Sequence, residues 1–153
     1  MELGDFVSAC DELEEIRPQA RANPLVLSLR YDIYAKAQRW NLAAGVAEIL
    51  ARMLPDIPEN WINFAYATRR KDGGGIPASK QILLVAAVKF PKNYIIPFNL
   101  ACYFSQMREF EAAEEWLKKA MGIEEKTVQK LAVNDPDLKP LWDSMSGTIW
   151  KKE

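Results

Sequence analysis

Histidine is absent from this 153-residue chain, and only two cysteines occur. The first absence removes the commonest general base and the commonest metal ligand. Cys10 and Cys102 lie far apart, and neither has the close companions of a zinc site. Read together they are two free thiols in reducing surroundings rather than a disulfide framework. Net charge is nearly lacking too: 20 Lys and Arg stand against 21 Asp and Glu, a formal charge of -1. No global basic field is available to attract nucleic acid or anionic lipid. No apolar run approaches the roughly 20 residues that span a bilayer. The acidic start Met1-Glu2-Leu3-Gly4-Asp5 has no cationic region leading into an apolar stretch, so the expected location is cytoplasmic.

Glycine is scarce, 7 residues, while 49% of the chain is hydrophobic, enough for a substantial core in a folded, soluble protein. Three of those glycines are adjacent, Gly73 to Gly75, and lie ahead of Lys80. A phosphate loop would need glycine, four residues, then glycine-lysine-serine or threonine after a strand. Ala78-Ser79-Lys80 replaces the second half, and the preceding segment is helical, so no nucleotide site is expected. Carboxylates are plentiful, but Asp11 to Glu15 and Glu111 to Glu115 fall on the wet faces of helices. Nothing in the chain suggests an enzyme, and no cofactor or metal is implied.

What the chain does contain is a period. Phe6, Trp40, Ile76 and Phe110 are spaced by 34, 36 and 34 residues. Three further columns keep step: Ala9, Ala43, Ser79 and Ala113; Leu13, Ala47, Leu83 and Leu117; Ile16, Leu50, Ala86 and Ala120. A second track agrees, since Leu27, Trp61 and Pro97 share the spacing, as do Tyr31, Ala65 and Ala101. Self-similarity at this period marks a stack of helix pairs, each unable to bury its apolar face alone. The apolar spacing and the prolines set the helices. These run from about 4 to 17, 24 to 38, 40 to 54, 58 to 71, 76 to 89, 95 to 106 and 110 to 121. Asp72-Gly73-Gly74-Gly75 reads as the one flexible turn, and it holds the two residues that stretch 34 to 36.

Small residues at the closest helix crossings let the axes approach, while aromatics one turn away fill the flanking grooves. The aromatic stripe is therefore core. Val128, Leu131 and Ala132 predict a short helix after the last pair, and Asp135-Pro136 starts another with Leu138, Leu141, Trp142 and Met145 along one side. That stripe is expected to fold back as a C-terminal cap over 125–145, followed by a tail at 146–153.

Asn99-Leu100-Ala101, Phe104, Phe110, Ala113, Leu117 and Ala120 resemble the tetratricopeptide pattern of large, leucine, small and aromatic positions on the first helix and alanine, leucine and alanine on the second. The first unit departs from it with Arg30 in place of leucine, and the last with Glu125 in place of the closing proline. The resemblance covers about 4 to 124, and the ending looks like the segment that closes many bacterial members. It implies an all-α, right-handed helical solenoid of about three and a half helix pairs in a single domain. The parts are a half-repeat at 4–17, repeats at about 24–54, 58–90 and 94–124, and the cap.

The resemblance further implies a concave groove lined by the first helix of each unit, where peptides or partner proteins bind. Transferred to this sequence, the groove positions are Leu29, Asp32 and Lys36, then Asn63, Tyr66 and Arg70, then Asn99, Cys102 and Gln106. Asn63 and Asn99 could bond a peptide backbone, while Tyr66 offers an apolar face and Arg70 a forked cation. The subclass that clamps the acidic C-termini of chaperones needs two asparagines and three basic residues. Only Asn63 matches; Ser28, Asp32, Ile95 and Asn99 occupy the other positions. The expected role is thus a non-catalytic module binding a peptide or protein, with no nucleic-acid or membrane partner. The alternative is self-association through the N-terminal half-repeat, whose first helix is missing and whose Phe6, Val7, Cys10 and Leu13 would be left uncovered.

Overall fold

The computed structural model describes Ser8, Ala9, Asp11, Glu12, Ala20 and residues 22–145. Among the described residues the chain is all-α, with no strand and with eight α-helices. These are α1 Pro24–Lys36, α2 Trp40–Met53, α3 Pro58–Arg70, α4 Ile76–Lys89, α5 Ile95–Gln106, α6 Phe110–Ile123, α7 Glu125–Asn134 and α8 Lys139–Ser144, with a 3-10 turn at Pro136–Leu138 before the last. The chain forms two compact units, Met1–Ile82 and Leu83–Glu153, the division falling inside α4.

In the first unit α1 packs on α2, and α2 on α3. Asn23 starts α1 by accepting a hydrogen bond from the Leu25 amide at 2.9 Å, with Pro24 in the first turn where its missing N–H costs nothing. Leu27, Tyr31 and Tyr34 of α1 are buried against Ala43, Ala44, Val46, Ala47 and Leu50 of α2. The alanines leave room for the tyrosine rings, as expected where two helix axes approach closely. At the other end of α2, Asn60 Nδ2 donates to the Leu50 and Leu54 carbonyls at 3.4 and 3.2 Å, and Trp61 Nε1 donates to the Pro55 carbonyl at 2.9 Å. The first turn of α3 thereby adds side-chain donors to carbonyls at the end of α2, where the Leu50 and Leu54 carbonyls also accept from the Leu54 and Ile57 amides.

In the second unit α5 packs on α6 and α6 on α7, while the 3-10 turn and α8 return onto α5. Helix α5 is enclosed almost all round, burying Ile96, Pro97, Phe98 and every residue from Leu100 to Ser105. The returning segment supplies part of that cover through Leu138 and Leu141, both fully buried. Ser105 Oγ accepts from the Leu141 amide at 3.3 Å, Gln106 Nε2 donates to the Asp137 carbonyl at 2.9 Å, and Trp142 Nε1 donates to the Ala132 carbonyl at 3.1 Å. Asp135 caps the turn by accepting from the Asp137 amide at 2.9 Å. The expected C-terminal fold-back is present, with one difference: Leu131 stays exposed while Val128 and Ala132 carry the buried face of α7.

The sequence period has a backbone counterpart. After α1, the Gln38 amide donates to the Ala35 carbonyl and the Arg39 amide to the Tyr34 carbonyl, with Gln38 in the left-handed region at φ 58°. After α5, Arg108 donates to Ser105 and Glu109 to Phe104, with Arg108 at φ 61°. Both are Schellman endings, and the residues that follow match closely, Arg39 at φ -86°, ψ 71° and Glu109 at φ -89°, ψ 71°. The turn after α3 has two extra residues and retains the outer bond, Gly75 donating to the Thr68 carbonyl at 3.1 Å. Tyr34, Thr68 and Phe104 thus accept equivalent bonds at the 34 and 36 spacing. The column Ala43, Ser79 and Ala113 is fully buried, as is Ala47, Leu83 and Leu117.

The glycine turn, expected from its composition to be flexible, has a defined hydrogen-bonded geometry. Gly73 sits at φ +67° and Gly75 at φ +122°, conformations that side chains disfavour. A Cβ at Gly74 would lie 1.9 Å from the Thr68 carbonyl oxygen. Each glycine answers a geometric demand of a hydrogen-bonded turn. The sequence-expected ends of α1, α2 and α3 also shift inward, to Lys36, Met53 and Arg70, because the Schellman ending or a capping residue takes over the last position.

Candidate functional site

Tyr66 and Arg70 stand one turn apart on α3, and both are exposed. The Arg70 guanidinium carbon lies 3.5 Å from the Tyr66 ring centroid and 5.4 Å from that of Trp40. Trp40, at the start of α2, meets Tyr66 edge-on with centroids 5.7 Å apart and planes at 63°. The guanidinium also donates through Nη1 to the Tyr66 carbonyl at 2.8 Å. An arginine held over the Tyr66 ring and bonded to the Tyr66 carbonyl has part of its side-chain freedom already removed, so less ordering is needed when a partner arrives.

Beside this stack, Asn41 and Asp72 are joined twice: Asn41 Nδ2 donates to the Asp72 carboxylate and the Asp72 amide donates to Asn41 Oδ1, both at 2.9 Å. The two contacts tie the start of α2 to the end of α3. They frame an open depression of about 300 Å³ lined by Gln38, Arg39, Trp40, Asn41, Leu42, Arg70 and Asp72.

The remaining sequence-expected positions fare differently. Asp32 and Lys36 are exposed on α1 with Leu29, and Asn63 is half-buried on α3, its carbonyl accepting from the Tyr31 hydroxyl at 3.3 Å. In the second unit Asn99 is half-buried on α5. Cys102 is only 4% exposed, so its thiol belongs to the packed interior and is not offered to a ligand. Gln106 is exposed but already engaged with the Asp137 carbonyl, which makes it a fastening for the C-terminal cap. Phe6, Val7, Cys10 and Leu13, the residues proposed for self-association, lie outside the described residues.

No protein-family model and no curated protein matches this sequence. The chain's own residues therefore carry the functional argument. Among the described residues no group of three or more His, Cys, Asp or Glu is placed to hold a metal ion. No described helix is long and apolar enough to cross a membrane.

Sequence reasoning missed Trp40, Arg39, Asn41 and Asp72. Trp40 was assigned to the core column and is only half-buried, its ring meeting Tyr66 in the surface stack. A more apolar depression of about 390 Å³ in the second unit was missed as well. Trp116 and Val88 are among the residues that line it, and Lys119 Nζ lies 4.0 Å from the Trp116 ring centroid.

Proposed function

We propose that this chain is a non-catalytic interaction module of the tetratricopeptide kind, taking a peptide or partner protein on the exposed face of the first helix in each helix pair. The observation that carries the reading is the Tyr66 and Arg70 pair. Tyr66 is 43% exposed on a helix whose other side is core, and the arginine stacked on it presents an ordered cation beside an aromatic face at the surface. Tyrosine and arginine are also the residue types that dominate binding energy at protein interfaces.

The family assignment draws support from the equivalent hydrogen bonds at Tyr34, Thr68 and Phe104, which follow the 34 and 36 spacing of the sequence columns. In such repeats, helix pairs are the framework and the side chains on one face choose the partner. Residence in the cytoplasm belongs to the same proposal, since two cysteines far apart in the sequence, one of them buried in a helix, suit reducing surroundings.

Affinity capture tests the reading. The native chain and a variant carrying Asn63→Ala, Tyr66→Ala and Asn99→Ala, shown by circular dichroism to be folded, are used to capture partners from a lysate of the source organism. A partner kept by the native chain and lost by the variant supports it. Capture of the same set by both, or of further copies of the chain alone, sinks it.

A further inference from the structure

The depression beside Arg70 lies in a local charge excess. Across 36–42 and 69–72 the chain carries five basic residues, Lys36, Arg39, Arg69, Arg70 and Lys71, against the single carboxylate of Asp72. The whole protein has a formal charge of -1, so this concentration is confined to one place. Asp72 already accepts from Asn41, which turns part of its charge toward the wall of the depression. Arg39 precedes α2, where a cation opposes the positive end of the helix dipole. At the equivalent backbone position of the second unit stands Glu109, the choice that helix stability favours. Arg39 therefore does not serve its own helix.

Apolar surface continues from the same edge. Leu42 lines the depression, and Leu42, Ile49 and Met53 are all exposed. Spacings of seven and four residues bring the three onto one stripe of α2. Two guanidiniums at one end of an apolar stripe fit a segment bearing carboxylates beside leucine-like side chains. A nucleic acid fits less well, because its charged backbone would gain nothing from the apolar stripe.

We infer that the Arg39 and Arg70 depression receives an acidic, leucine-bearing segment of a partner protein, its carboxylate bridging the two guanidiniums and its apolar side chains lying on Trp40 and Leu42. This rests on the interaction-module reading and names the partner's chemistry for it. Arg70 presents donors beyond the one bonded to Tyr66, and a guanidinium already stacked can take a carboxylate with both.

The test uses the full nitrogen-15-labelled chain and three probes: a short capped peptide of leucine and glutamate, its lysine counterpart, and a short single-stranded RNA. The glutamate peptide is expected to move the Trp40 indole and Asn41 side-chain amide signals in a saturable way. The lysine peptide and the RNA leave them in place. Arg39→Glu and Arg70→Gln each weaken binding roughly tenfold or more. Both variants copy residues that the chain itself uses at the equivalent positions, Glu109 and Gln106, so the fold tolerates them. Unchanged binding by either variant, equal shifts with the lysine peptide or RNA, or no shift at Trp40 and Asn41 overturns the inference. A glutamate peptide that instead moves Asn63 or Asn99 overturns it while leaving the broader reading intact. That reading fails separately, in the capture experiment.

Discussion

Asn41 and Asp72, 31 residues apart in sequence, hold one another by two hydrogen bonds of 2.9 Å, one in each direction. The pair fixes the start of α2 against the turn that follows α3, and with the Trp40, Tyr66 and Arg70 stack it sets the shape of the surface between them.

Asn41→Ala removes both bonds from an exposed site, where each nets roughly 0.5–1.5 kcal/mol at most. The expected loss is about 1 kcal/mol, read as a lower urea midpoint with an unchanged slope. Equal midpoints for Asn41→Ala and the native chain contradict the assignment.

The three glycines of the turn should differ in tolerance. Gly74→Ala places its Cβ 1.9 Å from the Thr68 carbonyl oxygen and must displace backbone. Gly73→Ala meets open space at φ +67° and costs about 1–2 kcal/mol of left-handed strain. Gly74→Ala is expected to be the more damaging of the two by thermal melting; the reverse order would mean the turn is not built this way.

Gly45 lies inside α2 with nothing within 4 Å of an added Cβ. Gly45→Ala should therefore stabilise the chain by roughly 0.5–1 kcal/mol through helix propensity alone. A lower melting temperature would show that another surface covers this point.

Ala113 is fully buried at the α5 and α6 crossing, in the column shared with Ala43 and Ser79. Ala113→Leu should overpack the crossing and cost about 1–3 kcal/mol. Ala113→Ser should be far milder, because Ser79 occupies the equivalent site by donating its hydroxyl to the Gly75 carbonyl at 3.0 Å. Similar losses for both would break the equivalence of the columns.

The periodic columns were legible because repeated packing leaves repeated residue types: Ala43, Ala47 and Leu50 and their counterparts in α4 and α6 are buried where the spacing put them. The polar fastenings were not legible. Nothing local marks Asn41 as the partner of Asp72, Asn60 as the cap of α2, or Ser105 as the acceptor for Leu141, since each bond joins residues well separated in sequence. Cys102 was misplaced for a related reason. The groove pattern assumes one open face on each first helix, whereas α5 is closed by the returning segment at 136–144 as well as by α6. The geometry of the glycine run was not legible either, because glycine composition alone does not say which turn the chain builds.

The central claim, that the Tyr66 face is a recognition surface, is tested most directly by photo-crosslinking in living cells of the source organism. A benzoylphenylalanine is placed at position 66 in one strain and at position 131 in another, sites of nearly equal exposure at 43% and 42%. The account predicts a discrete crosslinked protein from position 66 and none from position 131. Crosslinks from position 131 alone, or the same pattern from both, would contradict it.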